Sequence, residues 1–234
     1  MGISSSHTEN GIIEVTIDYP PVNAVPSRGW FELAETITRA GEDRDARVVI
    51  LRAENRGFCA GVDIKEMQRT PGHEALIAAV NGFCLGGGIG LVGNADVIVA
   101  SDDATFGLPE VDRGALGAAT HLARLVPQHL MRTLYYTARN VSAQTLHHHG
   151  SVIEVTPRAR LDDAAREIAR EIARKDPTVI RAAKEAINGI DPQRVHQSYR
   201  FEQGFTFELN LTGVSDHARQ AFLDGNHARQ ANDS

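Results

Sequence analysis

Residues 11–19, GIIEVTIDY, alternate apolar and polar side chains and predict an opening strand, which Pro20–Pro21 end. Apolar positions then fall at helical spacing over Trp30–Ala40, and Arg47–Arg52 is a short apolar run flanked by charge, the pattern of a buried strand. A turn at Asn55–Gly57 leads to FCAGVD, and Ile64–Arg69 predicts a short helix ended by Pro71–Gly72. Leu76–Val80 and Ala95–Ala100 are two further strand-like runs. Strands alternating with helices through residue 100 imply an α/β core. Past that point the pattern turns helical: Gly117–Leu125, Leu130–Thr137, Leu161–Lys175, Thr178–Asn188, Pro192–Leu211 and Ser215–Leu223, the last with Ser215 at its cap. Residues 1–160 thus read as an α/β core and 161–234 as a C-terminal helical region. Only the terminal HARQANDS looks like a frayed tail.

Composition narrows the classes of function. A chain of 234 residues, 42% hydrophobic and 23% charged, has the length and the apolar content for a globular core. Net charge −6 with pI 5.9 argues against a nucleic-acid partner or an anionic membrane surface. No run approaches the length of a membrane span, and the N-terminus lacks a basic-then-apolar leader pattern. The two cysteines, Cys59 and Cys84, have neither a CxxC nor a Cys/His ligand spacing. The expectation is a cytoplasmic protein without a metal.

The most informative segment is Gly82–Gly90, GFCLGGGIG. Bare backbone at Gly86, Gly87 and Gly88, between a strand and a helix, lets a ligand atom reach amide N–H groups. At a helix start those groups have no intrahelical partner and lie at the positive end of the dipole, which suits an oxygen gaining negative charge. The rival reading is a dinucleotide fingerprint, since Gly88–Gly93 literally matches GxGxxG. That motif needs a long helix and then a strand ending in an acid, whereas the next strand here starts within three residues of Gly93. No Gly-Lys-Ser/Thr follows, so a P-loop is excluded. A second loop, Arg56–Met67 (RGFCAGVDIKEM), also follows a strand and precedes a helix. Two such loops on adjacent strands supply two convergent donors, the minimal oxyanion hole; taken singly, each is a tight βα turn. In FGLPE, Phe106–Glu110, Pro109 stiffens the backbone before Glu110. A partly desolvated Glu there can serve as acid or base, or it can simply complement a helix dipole.

PPVNA (Pro20–Ala24), RGFCAGVDIKEM, AAVNGFCLGGG and FGLPE, in that order, resemble the crotonase, or enoyl-CoA hydratase/isomerase, superfamily. The likeness extends to the helical end and its SDHARQAFLDG. The resemblance implies a crotonase-like spiral of ββα units with a C-terminal helical trimerisation region, assembled as a homotrimer or a dimer of trimers. It implies an acyl-CoA substrate whose thioester oxygen becomes an enolate held by two backbone N–H groups, at Val62 and Gly87 by motif position. The CoA arm would lie along Val22, Ala24, Ala60, Val62, Asp63, Ile64 and Lys65. Lys65 has two readings, a phosphate contact or a solvated helix charge. No cofactor is implied, because coenzyme A is part of the substrate.

Two departures sharpen the expectation. Hydratases of the family keep a second Glu two residues past the triple glycine, where this chain has Gly90, while Glu110 is retained. One carboxylate suits isomerase proton shuttling, or a cleavage that itself creates the enolate, better than addition of water across a double bond. Only 18 residues separate Asp63 from Gly82, where family members carry a further helix. His73–Val80 then reads as two pieces abutted, as if about two dozen residues of a loop beside the site were lacking. A break in the chain at Leu76–Ala78 would be its mark. The wording of IDYPPVN, GVDIKEMQRT, GLPEVDRGALGAATHLARLVPQHLMR and YRFEQGFTFELNL resembles an actinobacterial subgroup of steroid degradation. Its members open a ring of a bicyclic CoA thioester by hydrolysing a carbon–carbon bond. The alternatives are an enoyl-CoA hydratase or isomerase of fatty-acid metabolism and, in another class, an acyl-CoA-binding protein without catalysis. Asp112 and His121 follow Glu110 and either line the pocket or serve structure. His147–His149 are adjacent on a helix, point in different directions, and read as a solvated surface rather than a metal site.

Overall fold

A computed structural model of the chain describes residues 2–60, 74–190, 195–221 and 224. Among the described residues, nine strands fall into two sheets. The larger takes β1 (Gly2–His7), β2 (Ile12–Asp18), β3 (Val48–Ala53), β4 (Ala75–Val80), β6 (Val97–Ser101) and β9 (Glu154–Thr156), in that spatial order. β1 is antiparallel to β2, and every later neighbour is parallel. The smaller sheet is β5 (Phe83–Leu85), β7 (Thr105–Gly107) and β8 (Val141–Ser142), with β5 and β7 parallel. The polar edge strand β1 (GISSSH) carries no alternation that a sequence pattern would register.

The period-two alternation of the strands divides the core. Val49 and Leu51 of β3 and Ala78 and Val80 of β4 face one side, packed with Trp30, Leu33, Phe58, Phe106 and Leu108. Trp30 and Leu33 belong to helix α1 (Ser27–Glu42), whose apolar stripe follows the spacing of Trp30–Ala40. Val48, Ile50, Ile77 and Ala79 face the other side and meet Leu161, Ala164, Ala165, Ala169 and Ala173. These alanines lie on one helix, Leu161–Ala173, and their small side chains let it sit close to the sheet. Parallel strands covered on both faces explain the near-continuous apolar runs at 48–51 and 75–80.

Helix α2 (Gly87–Val92) follows β5 directly. After a 3-10 turn at Pro109–Arg113 come α3 (Ala119–Leu122), α4 (Gln128–Thr137), α5 (Ala143–His148), α6 (Leu161–Ala173), α7 (Pro177–Ile190) and α8 (Val195–Leu211). The helix expected over Gly117–Leu125 shrinks to the four residues of α3. Gly117 and Ala118 precede it, Ala118 with a left-handed φ of 55°. Ser215 does not cap its helix as expected: the helical residues start at 214, and the Ser215 hydroxyl donates instead to the Gly114 carbonyl. The strand β4 runs unbroken through Leu76–Ala78, paired with Val49–Leu51, so the chain break expected there is absent. The helix expected at Ile64–Arg69 lies outside the described residues, as does His73.

Candidate active site

The small sheet delivers the key segments to one end. Its parallel strands β5 and β7 pair Leu85 with Gly107, and the Gly86 N–H donates to the Gly107 carbonyl at 3.0 Å. The chain leaving β5 becomes Gly86–Gly87, and the chain leaving β7 becomes Leu108–Glu110. Two parallel neighbours thus release the glycine segment and the acid side by side.

Backbone angles and close packing require glycine there. Gly86 holds φ 56° and ψ −114°, a conformation closed to a side chain. A Cβ on Gly88 would lie 2.9 Å from Cys84 Sγ and 3.2 Å from the Cys59 carbonyl. Gly87 opens α2, so its N–H has no intrahelical carbonyl to reach. Gly90 is buried in the same helix, its carbonyl accepting from Asn94 Nδ2 at 2.9 Å, and α2 contributes no carboxylate.

The second glycine loop meets the first. Cys59 and Cys84 form a parallel bridge, and Leu85 N–H donates to the Cys59 carbonyl at 2.9 Å. Neither thiol is in a disulfide and both are fully buried, and burial pushes that of Cys84 well up, which disfavours its reactive thiolate. Ala60, partly buried, donates its N–H to the Asn23 carbonyl at 3.2 Å. That bond joins the Ala60 loop to the Val22–Ala24 segment, where Val22 is half-buried and Ala24 exposed. Asn23 is the pin. It is fully buried at φ 52°, donates Nδ2 to the Glu54 and Gly57 carbonyls at 2.6 and 2.7 Å, and accepts the Tyr19 N–H on Oδ1 at 2.7 Å. Val62, Asp63, Ile64 and Lys65 lie outside the described residues.

Glu110 sits on the 3-10 turn with its Oε2 buried and making no hydrogen bond among the described residues. Burial raises its carboxyl to about 7, against weaker opposing pulls from its own backbone N–H and from the Arg113 charge. It can therefore exchange a proton near neutral pH, as an acid–base group must. Asp112 on the same turn is exposed. His121 is fully buried in α3, its ring edge-on to Tyr199 at 5.4 Å, with neither ring nitrogen hydrogen-bonded among the described residues. Burial lowers it to about 4, so it is neutral at physiological pH. His147, His148 and His149 are exposed, and His147 Nδ1 meets the Val152 carbonyl at 2.8 Å.

Sequence reasoning missed two residues beside Glu110. Tyr135 of α4 and Glu202 of α8 are both buried and bonded to each other at 2.7 Å. Glu202, one of two acids in the mixed segment Phe201–Leu211, carried no signal that set it apart from Glu208. Tyr135 had none, since LYYT reads as an ordinary helix face.

Comparison with known proteins bears on the family and the fold. The sequence profile of the enoyl-CoA hydratase/isomerase family matches residues 7–76 and 72–224, two stretches that meet at β4. A Rhodococcus jostii protein named (7aS)-7a-methyl-1,5-dioxo-2,3,5,6,7,7a-hexahydro-1H-indene-carboxyl-CoA hydrolase is 66% identical, covering 96% of this chain and 95% of that protein. Its aligned span of 245 positions exceeds the 234 residues here, so gaps open in this chain. A Mycobacterium tuberculosis protein of the same name is 64% identical over 95% of this chain and 99% of its own length. A crystal structure of a probable enoyl-CoA hydratase from Mycobacterium thermoresistibile superposes with TM-score 0.83 at 28% identity, covering 92% of this chain and 96% of that one. The chain belongs to the enoyl-CoA hydratase/isomerase family.

Proposed function

We propose that this chain hydrolyses a carbon–carbon bond of a bicyclic β-keto acyl-CoA, opening a ring, in the breakdown of the steroid nucleus. The observation that carries the reading is the 66% identity, along 96% of the chain, with the Rhodococcus protein named for hydrolysis of such a thioester. The chemistry fits one exchangeable carboxyl. Glu110, as carboxylate, takes a proton from water while the oxygen attacks the ring ketone. The bond between that carbon and the carbon α to the thioester then breaks, and its electron pair passes into the thioester as an enolate. The amides of Gly87 and, by resemblance, Val62 hold the enolate oxygen, a contribution worth about 3 kcal/mol per donor. Glu110 returns the proton to the α carbon. Water has thus added OH to the acyl carbon and H to the α carbon.

Gly90 favours this route over hydration, because α2 offers no second carboxylate to activate water across a double bond. The CoA arm is assigned to Val22, Ala24, Ala60, Asp63, Ile64 and Lys65, with no cofactor beyond the substrate. The working assembly is a homotrimer or dimer of trimers in the cytoplasm. Exposed Ile187, Ile190, Phe201, Phe207 and Leu211 on α7 and α8 provide apolar surface for it. Incubation with a bicyclic β-keto CoA thioester should yield a ring-opened product heavier by one water, and Glu110→Gln should slow its formation by about 10²–10⁴. Faster hydration of crotonyl-CoA than ring opening by the wild type would overturn the reading in favour of a hydratase.

A further inference from the structure

Behind Glu110 lies a buried chain of contacts drawn from three other elements. A Cβ on Gly117 would meet Glu110 Cγ at 3.2 Å and Oε1 at 3.5 Å, so the Glu110 side chain packs over the open side of Gly117. The Gly117 N–H donates to the Tyr135 hydroxyl at 3.3 Å, and that hydroxyl donates to Glu202 Oε1 at 2.7 Å. The start of α3 completes the set: Ala119 N–H donates to Glu202 Oε1 at 3.0 Å and Thr120 N–H to Oε2 at 3.4 Å. Three donors aimed at one carboxyl favour its acceptor form and leave it no role as a free base. Glu202 is therefore not the missing second acid of a hydratase. Tyr135 and Glu202 are each 9% exposed and border a cavity of about 620 Å³ between α3, α4 and α8, with Met131, Phe201 and Phe205 among its walls.

We propose that Tyr135 and Glu202 act as a positioning pair for Glu110, fixing the Gly117 backbone over which its side chain packs and facing it with a second, fully hydrogen-bonded acid. The inference rests on Glu110 being the acid–base group of the proposed reaction. The tyrosine proton is committed to Glu202, so its lone pairs face the Gly117 amide and hold that turn at fixed height. Glu202 adds like charge near a low-dielectric carboxyl, which opposes ionisation of Glu110. The other groups facing Glu110 are Arg113 on its own turn, which pulls the opposite way, and Tyr135 from α4, which stays neutral because burial and Glu202 raise it. Facing Glu202 are Tyr135 and the α3 amides, and burial outweighs their bonds so that its own carboxyl sits above the usual range. His121 of α3 is uncharged at neutral pH and adds nothing to the balance.

The test uses Glu202→Gln and Tyr135→Phe. The first removes the charge and keeps the shape. The second strips Glu202 of its side-chain donor, which favours the protonated Glu202 and so weakens the same repulsion. The Glu110 ionisation is read by 13C-carboxyl NMR, assigned by loss of the signal in Glu110→Gln, and by the pH profile of kcat/KM for the bicyclic CoA thioester. Both variants should move that ionisation down by about half a unit or more. They should also lower kcat by about tenfold while KM stays within about threefold. A purely structural role predicts reduced thermal stability with the Glu110 titration unmoved, and that outcome overturns the proposal. If one variant fails to fold, the other decides alone. The NMR measurement needs no turnover: a wild type that fails to open the ring refutes the function, while the pair still stands or falls on the titration.

Discussion

Replacing Glu110 by glutamine separates the cost of burying this acid from its service to the reaction. The carboxyl titrates at about 7 in the folded chain against 4.5 as its ordinary value. Because the folded-state value is the higher one, the native protein holds more protons than the unfolded chain between those two pH values. The favourable contribution is complete below about 4.5 and is lost as pH rises through about 7. At pH 8 an ionised Glu110 therefore weighs against folding by about 3 kcal/mol, and at pH 5 by under about 1 kcal/mol. Glutamine keeps the shape but cannot ionise, so Glu110→Gln should gain about 2 kcal/mol on the wild type between pH 5 and pH 8. Comparing the two pH values cancels any constant cost of the buried amide. Urea unfolding of both proteins at each pH measures it, while ring opening should fall by about 10²–10⁴. Equal stability differences at pH 5 and pH 8 would refute the claim that burial holds this acid near neutrality. Full activity in the stabilised variant would refute its role in proton transfer.

Two further perturbations probe the neighbouring structure. Gly88→Ala pushes a methyl to 2.9 Å from Cys84 Sγ and should cost about 1–3 kcal/mol with loss of activity; adding Cys84→Ala should recover part of the stability, and additive losses in the cycle would count against the clash. His121 titrates at about 4 when folded and 6.5 ordinarily, so stability should decline as pH falls from about 6.5 toward 4, by up to about 3 kcal/mol. His121→Leu should flatten that part of the wild-type profile in urea midpoints, and an unchanged slope would show that the ring is not buried neutral.

The legible parts of this chain were those where one physical signal spoke alone. Trp30–Ala40, Leu161–Lys175 and Thr178–Asn188 repeat apolar residues at helical spacing, and α1, α6 and α7 follow them to within a few residues. The strands at 48–53 and 97–101 are apolar because both faces of a parallel sheet are covered, so they too stand out. The strands β5 and β7, three residues each, hold no periodicity to detect. Their pairing nevertheless sets the Gly86–Gly87 and Leu108–Glu110 segments side by side, so the element that would build the proposed site is the one least visible in the sequence. Glycines and a proline before an acid mark the two ends of that proposed site, since bare amides and a stiff backbone are local requirements. The buried environment of Glu110 is not local. It arises from Tyr135, 25 positions on, and Glu202, 92 positions on, which only the packing of α4 and α8 against the Gly117 turn brings within reach. A sequence can announce that an acid is held stiffly. What that acid can do at neutral pH depends on neighbours it acquires in folding, here burial together with Tyr135 and Glu202 from two distant helices.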